Sequence, residues 1–159
     1  MNVNDLICVG AEPLAFVDYI AVPKTDPHVH SVLGTSLAEG CRLARVTLAG
    51  GETATLPGIV TELDLSGTAL GWFPTGHAIT GEGLESGDAL IGLPSSGIHS
   101  NGFTLVRAVL ERSGAQLDEV PPFDSEHDGH LTLGEVLLNP TRIYVDPLVD
   151  LVLACRSGN

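Results

Sequence analysis

The chain has 159 residues, 43% of them hydrophobic, and its 20 acidic against 7 basic residues give a net charge of −13. This length suits one domain or two small ones, and this apolar fraction supports a packed core and excludes a disordered chain. Lys24 is the single lysine, so a basic footprint for nucleic acid is absent and an anionic membrane surface would repel the protein.

Met1 to Gly10 reads as a helix already under way, capped by Asn2 or Asn4 and ended by Gly10. So abrupt a start implies missing preceding residues. Leu14 to Val22 is apolar apart from Asp18 and Tyr19, the pattern of a strand buried on both faces. Asp18 then either lies at the exposed end of that strand or faces a site. Asp26-Pro27 is a helix start, a cap followed by an N1 proline. Val29, Leu33, Leu37 and Cys41 follow at i+4 steps, Ala44 at i+3, and with Val32 and Ala38 they form one apolar face. His28 and His30 near the helix start are expected to be solvated. Val46 to Ala49 predicts a short strand running straight into Gly50-Gly51-Glu52-Thr53-Ala54, and Leu63 to Phe73 a long one in which Gly67 and Gly71 permit close approach.

Thr75 to Gly87 is rich in Gly, Glu and Ser and marks a boundary, dividing the chain into a domain at 1–80 and another at 81–159. In the second part, Ala89 to Leu93 reads as a buried strand, 94–101 as a loop, and Gly102 to about Ser113 as a helix. An acidic loop at 118–130 holds His127, Asp128 and His130. Thr132-x-x-Glu135 is a capping box opening a short helix, and Asp146-Pro147 starts a last one. The alternation is of mixed α/β type, with too few strands to close a fold, so both domains are expected to be incomplete.

Cys8, Cys41 and Cys155 are odd in number, widely spaced and set among apolar residues, without any Cys-x-x-Cys. That is the pattern of buried free thiols in a reducing compartment. No apolar run approaches the roughly 20 residues of a membrane span, and no secretory signal precedes the first element. A cytoplasmic protein is expected.

The sequence Ser95-Ser96-Gly97-Ile98-His99-Ser100-Asn101-Gly102 lies between the expected strand at 89–93 and the next helix. Strand, Gly-rich loop and helix N-terminus is an order that holds anions, because free N–H groups and the helix dipole point at the ligand. The alternative is an ordinary turn capped by Ser100 or Asn101. One turn needs one cap, however, and three hydrogen-bonding side chains stand here in a row. Three carboxylates are candidates for a Mg²⁺ shell: Asp5 near a helix start, Glu52 after two glycines, and Asp64 on the strand that follows. No Walker A motif, Gly-x-Ser-x-Gly elbow or zinc-type Cys/His spacing occurs.

The Ser95–Arg107 stretch, with its His-Ser-Asn-Gly and Leu-Val-Arg, resembles the signature of phosphoribosylformylglycinamidine cyclo-ligase, the aminoimidazole ribonucleotide synthetase family. Further blocks resemble it in the same order: Val3-Asn4-Asp5-Leu6 with Gly10-Ala11-Glu12-Pro13-Leu14, Phe16-Val17-Asp18-Tyr19, Ala38-Glu39-Gly40-Cys41, Gly50–Ala54 with Leu56-Pro57-Gly58, and Pro140-Thr141-Arg142-Ile143-Tyr144-Val145. Thr55 stands where the family has Glu. The family is roughly twice this length, so the resemblance implies a central fragment.

The resemblance implies a fold in which first-domain strands enter a dimeric β-barrel, with Leu14–Val22 and Leu63–Phe73 as interface candidates. It implies ATP-dependent ring closure of formylglycinamidine ribonucleotide, with ATP and Mg²⁺. His99 and Asn101 would be catalytic, His99 as a proton-transfer group. Asp18, Gly50, Gly51, Thr53, Ser96, Gly97 and Ser100 would bind ATP or substrate, and Asp5, Glu52 and Asp64 the metal. Related ATP users (formylglycinamidine ribonucleotide synthetase, selenophosphate synthetase) and a non-catalytic nucleotide-binding or dimerisation fragment are the rival readings.

Overall fold

The computed structural model describes residues 1–121 and 131–158. Helix α1 (Asn2–Cys8) leads into strand β1 (Glu12–Val22), helix α2 (Pro27–Leu43) and strands β2 (Thr47–Thr55) and β3 (Asp64–Trp72). Helices α3 (Phe103–Ser113), α4 (Leu133–Leu137) and α5 (Val145–Ser157) follow. The contacts divide the chain into two units, one of Asn2–Ser86 with the segment from Ile143, the other of Gly87–Arg142 with Met1.

The first unit is a three-stranded mixed sheet in the order β2-β1-β3. β1 runs parallel to β2 and antiparallel to β3. A parallel neighbour requires a crossover, and α2 supplies it. Asp26 caps α2 as its sequence predicts, its Oδ1 accepting from His28 N at 2.9 Å and Val29 N at 3.3 Å, with proline behind it. The i+4 spine of α2 deepens toward its C-terminus, where Cys41 and Ala44 are buried, whereas Val32 and Ala38 are exposed. His28 is exposed as expected; His30 is half-buried, and its Nε2 is out of solvent without a hydrogen bond among the described residues.

The core joins Ile7, Cys41, Ala44, Val46, Val145 and Val149, with Val3, Phe16, Ile143, Tyr144 and Leu148 packed around them. α1 is held through its first turn by its asparagines, which stand inside the helix and not at its N-cap position. Asn2 Nδ2 donates to Gly67 O at 2.7 Å, and Asn4 Oδ1 accepts from Tyr144 N at 3.1 Å. α1 ends where Gly10 turns left-handed. Arg45, also left-handed at φ 54°, closes α2 and pairs with Asp146 of α5. Asp146 thus lies inside the first turn of α5 and does not cap it.

Four expectations are corrected. β1 is not buried on both faces along its length: Ile20, Ala21 and Val22 are buried, but Leu14 is exposed, and so are Val17 and Tyr19 on the face where no described helix packs. The strand expected at Val46–Ala49 is longer than that: it runs from Thr47 to Thr55, and Gly50–Ala54 is the body of β2, hydrogen-bonded along β1. Residues 89–93 form no strand, and Leu90 and Ile91 are 93% and 88% exposed, since no described strand of their unit offers a ladder partner. Of the three free cysteines only Cys41 is buried; Cys8 and Cys155 are exposed. Among the described residues no helix is long and apolar enough to cross a membrane. The histidines at 127 and 130 lie outside the described residues.

Candidate functional site

The candidate residues fall into two groups, one in each unit. In the first unit the pairing register sorts them by face, since successive residues of a strand point to opposite sides. Asp18 of β1 stands between Gly51 of β2 and Gly67 of β3. It belongs to the face that α1 and α2 cover, beside Phe16 and Ile20. It is therefore mid-strand and half-buried, and does not lie at a strand end. Its carboxylate leans over Gly51, where a Cβ would meet Oδ1 at 2.3 Å; glycine is what makes room for it. The nearby Cys41 thiol is pushed up, first by burial and then by the negative charge of Asp18. Thr53, opposite Ile20, shares that face.

Glu52 lies opposite Tyr19, and Asp64 opposite Ala21, which puts both on the other, open face with Gly50. Glu52 and Asp64 are nevertheless on the two outer strands, with β1 between them, so about 10 Å of sheet separates them at ordinary strand spacing. Asp5 is exposed on α1, on the covered side. Magnesium demands oxygens about 2.0–2.1 Å away. These three carboxylates do not converge to that range, and among the described residues no three His, Cys, Asp or Glu side chains gather as a metal site. The expected Asp5–Glu52–Asp64 shell is not assembled within the chain.

In the second unit the loop 95–101 is a defined structure. His99 and Ser100 are consecutive non-glycine residues in the left-handed region, at φ 54° and 59°. Each such residue costs roughly 1–2 kcal/mol and persists only where surrounding bonds over-determine it. Those bonds come from residues 139–142. Asn139 Nδ2 donates to Ser96 O at 2.8 Å, Ser96 Oγ donates to Pro140 O at 2.8 Å, and Ser100 Oγ meets Thr141 Oγ1 at 3.0 Å. Arg142 Nη1 donates to Pro94 O at 3.0 Å, and Arg142 N to His99 Nε2 at 3.4 Å. Within the loop, Ser96 N also donates to His99 Nε2 at 2.9 Å, and Ser96 Oγ lies 2.9 Å from the same nitrogen.

Neither Ser100 nor Asn101 caps α3. The cap position is Gly102, left-handed at φ 85° and without a side-chain bond. The first N–H groups of α3 are thereby left without a side-chain acceptor. Asn101 is exposed, and its side-chain amide makes no hydrogen bond among the described residues. Asn139 and Arg142 were not among the residues singled out as functional from sequence. The visible signal was a donor-rich Asn-Pro-Thr-Arg directly after a short capped helix.

Residues 1–73 match the family described as AIR synthase related protein, N-terminal domain, and residues 85–155 match AIR synthase related protein, C-terminal domain. The chain belongs to the AIR synthase related family. Within it, the chain is similar to proteins named phosphoribosylformylglycinamidine cyclo-ligase. That of Methanosarcina acetivorans is 46% identical over 98% of this chain and 45% of the relative. That of Methanothermobacter thermautotrophicus is 49% identical over 96% of this chain and 44% of the relative, and that of Thermococcus kodakarensis 47% over 96% and 43%. The chain spans a little under half the length of the curated relatives it matches.

Proposed function

We propose that the chain serves ATP-dependent ring closure of formylglycinamidine ribonucleotide to aminoimidazole ribonucleotide, ADP and phosphate, a step of purine biosynthesis. The observation that carries this reading is the extent of the match to cyclo-ligases. It runs through both units at 46% identity over 98% of the chain, and so takes in the sheet, the loop 95–101 and the segment that ties it. The sister activities of the superfamily, the formylglycinamidine ribonucleotide synthetase and selenophosphate synthetase types, are not favoured, because the matched relatives carry the cyclo-ligase name.

The reaction transfers the γ-phosphoryl group of ATP to the formyl oxygen and releases ADP. The amidine-side nitrogen then attacks the activated carbon, the C–O bond breaks, and the former formyl oxygen leaves in phosphate. Such chemistry is mostly positioning and charge stabilisation. Loop 95–101 and the N-terminus of α3 supply donors for anionic oxygen, with Ser96, Gly97 and Ser100 forming the frame of that site and Asn101 its side-chain donor. Asp18, Gly50, Gly51 and Thr53 serve ATP or substrate from the sheet. The triphosphate arrives with Mg²⁺ as its ordinary solution complex. Asp5, Glu52 and Asp64 do not form one shell for it, and no step here runs through the ion.

The open sheet face, bearing Val17, Tyr19, Leu70 and Trp72, is the surface on which a second copy docks to form the family's barrel-like dimer. Free cysteines and dependence on ATP fit a cytoplasmic setting. The test is to incubate the purified chain with ATP and substrate whose formyl oxygen carries an isotopic label. Recovery of the label in inorganic phosphate, with one ADP per ring closed, is the expected result. ATP hydrolysis without label transfer, or nucleotide binding without turnover, would instead favour a nucleotide-binding fragment.

A further inference from the structure

We propose that His99 is a positioning residue and not the proton-transfer group. Together with Asn139 and Arg142 it latches loop 95–101 in its strained form, leaving Asn101 as the loop side chain that touches substrate. This deepens the cyclo-ligase reading and rests on it.

The direction of the hydrogen bonds carries the argument. Main-chain N–H groups can only donate, and two of them, from Ser96 and Arg142, point at His99 Nε2. Nε2 is therefore the acceptor nitrogen, and the ring proton sits on Nδ1. A proton placed on Nε2 would face both donors head-on and break the contacts that hold Ser96 and Arg142 together. The neighbouring Ser96 hydroxyl can only donate to an unprotonated Nε2, so its one proton is shared between Nε2 at 2.9 Å and Pro140 O at 2.8 Å. A ring nitrogen so engaged cannot cycle a proton without dismantling the loop. Five bonds from residues 139–142 to residues 94–100 make the same point from the other side. They fix a backbone that His99 and Ser100 would not adopt alone. Of the loop's consecutive polar side chains at 99–101, only that of Asn101 stays uncommitted among the described residues.

Two measurements test this. In nitrogen-labelled protein without ligand, the imidazole shifts should report an unprotonated Nε2 and a protonated Nδ1. The opposite tautomer overturns the latch whatever the activity. In turnover assays, H99Q places an amide oxygen near the position of Nε2 and keeps an acceptor while removing the imidazole. H99Q should keep kcat close to the wild type. H99A, N139A and R142A should share one pattern, a rise in substrate KM larger than the fall in kcat, and N101A should lower kcat. If H99Q and H99A both lose kcat by about 10²–10⁴, as removal of a proton-transfer group would, the proposal is wrong. A wild-type chain with the expected tautomer but no label transfer would overturn the cyclo-ligase reading, and with it the role assigned to the latch.

Discussion

Gly67 shows how one absent side chain sets the geometry of the covered sheet face. The Phe16 ring lies across it, and a Cβ at Gly67 would stand 2.3 Å from Phe16 Cζ. Asn2 binds the carbonyl of the same residue, so α1 and the ring both register on this one position. Gly67→Ala should overpack the site and cost about 1–3 kcal/mol, seen as a lower urea midpoint at unchanged slope. Combining it with Phe16→Leu should recover part of the loss, because the two changes meet at one contact. Additive losses would mean that the ring does not depend on the glycine. Gly51 makes the same kind of room for Asp18, and there the space admits a carboxylate.

At the scale of elements, α4 is a short helix secured by its first residues. Thr132 Oγ1 accepts from Glu135 N at 3.3 Å, and Glu135 Oε2 accepts from Thr132 N at 2.8 Å and from its hydroxyl at 2.9 Å. The Thr132 N–H first and its hydroxyl second hold the Glu135 carboxyl below the usual carboxylate range. A depressed folded-state value means that the box contributes above the ordinary carboxylate range and is lost as pH falls through the lower, folded value. Acid titration followed by NMR should give a Glu135 midpoint below that of a free glutamate, with the Thr132 amide shifting in step. Glu135→Gln should abolish the pH dependence of that amide. A midpoint at or above the ordinary value would contradict the box in solution. The helix needs this support because Leu117 and Glu119, which bond Gly134 and Leu133 through their carbonyls, are its other described backbone anchors outside the helix.

At the scale of the whole molecule, one face of the sheet carries no helix among the described residues of its unit. Leu70 is 63% exposed and Trp72 56%, with Val17 and Tyr19 beside them, and both outer strands have open edges. An exposed apolar sheet with open edges is an association surface. Sedimentation at micromolar concentration should give a homodimer, and Trp72→Glu should shift it toward monomer while circular dichroism stays unchanged. A stable wild-type monomer would refute the assignment. Much of the molecule was legible in local chemistry. Asp26-Pro27, the i+4 spine of α2, the Thr132–Glu135 box and Gly10 each specify their element through bonds to near neighbours, and residue order alone fixes such bonds. The run at 89–93 shows the limit: apolar composition asks for a strand, but a strand exists only where a partner supplies its ladder. Glu52 shows another, because its place in a strand body follows from pairing with β1 and not from the two glycines before it. Face assignment likewise depends on register, which is why three carboxylates that look alike in sequence do not gather in space. The role of His99 lay furthest from view. Its residue type invites proton transfer, but the donors that occupy Nε2 include one from Arg142, which lies 43 residues away in the chain, and only the tertiary fold brings that group to the ring.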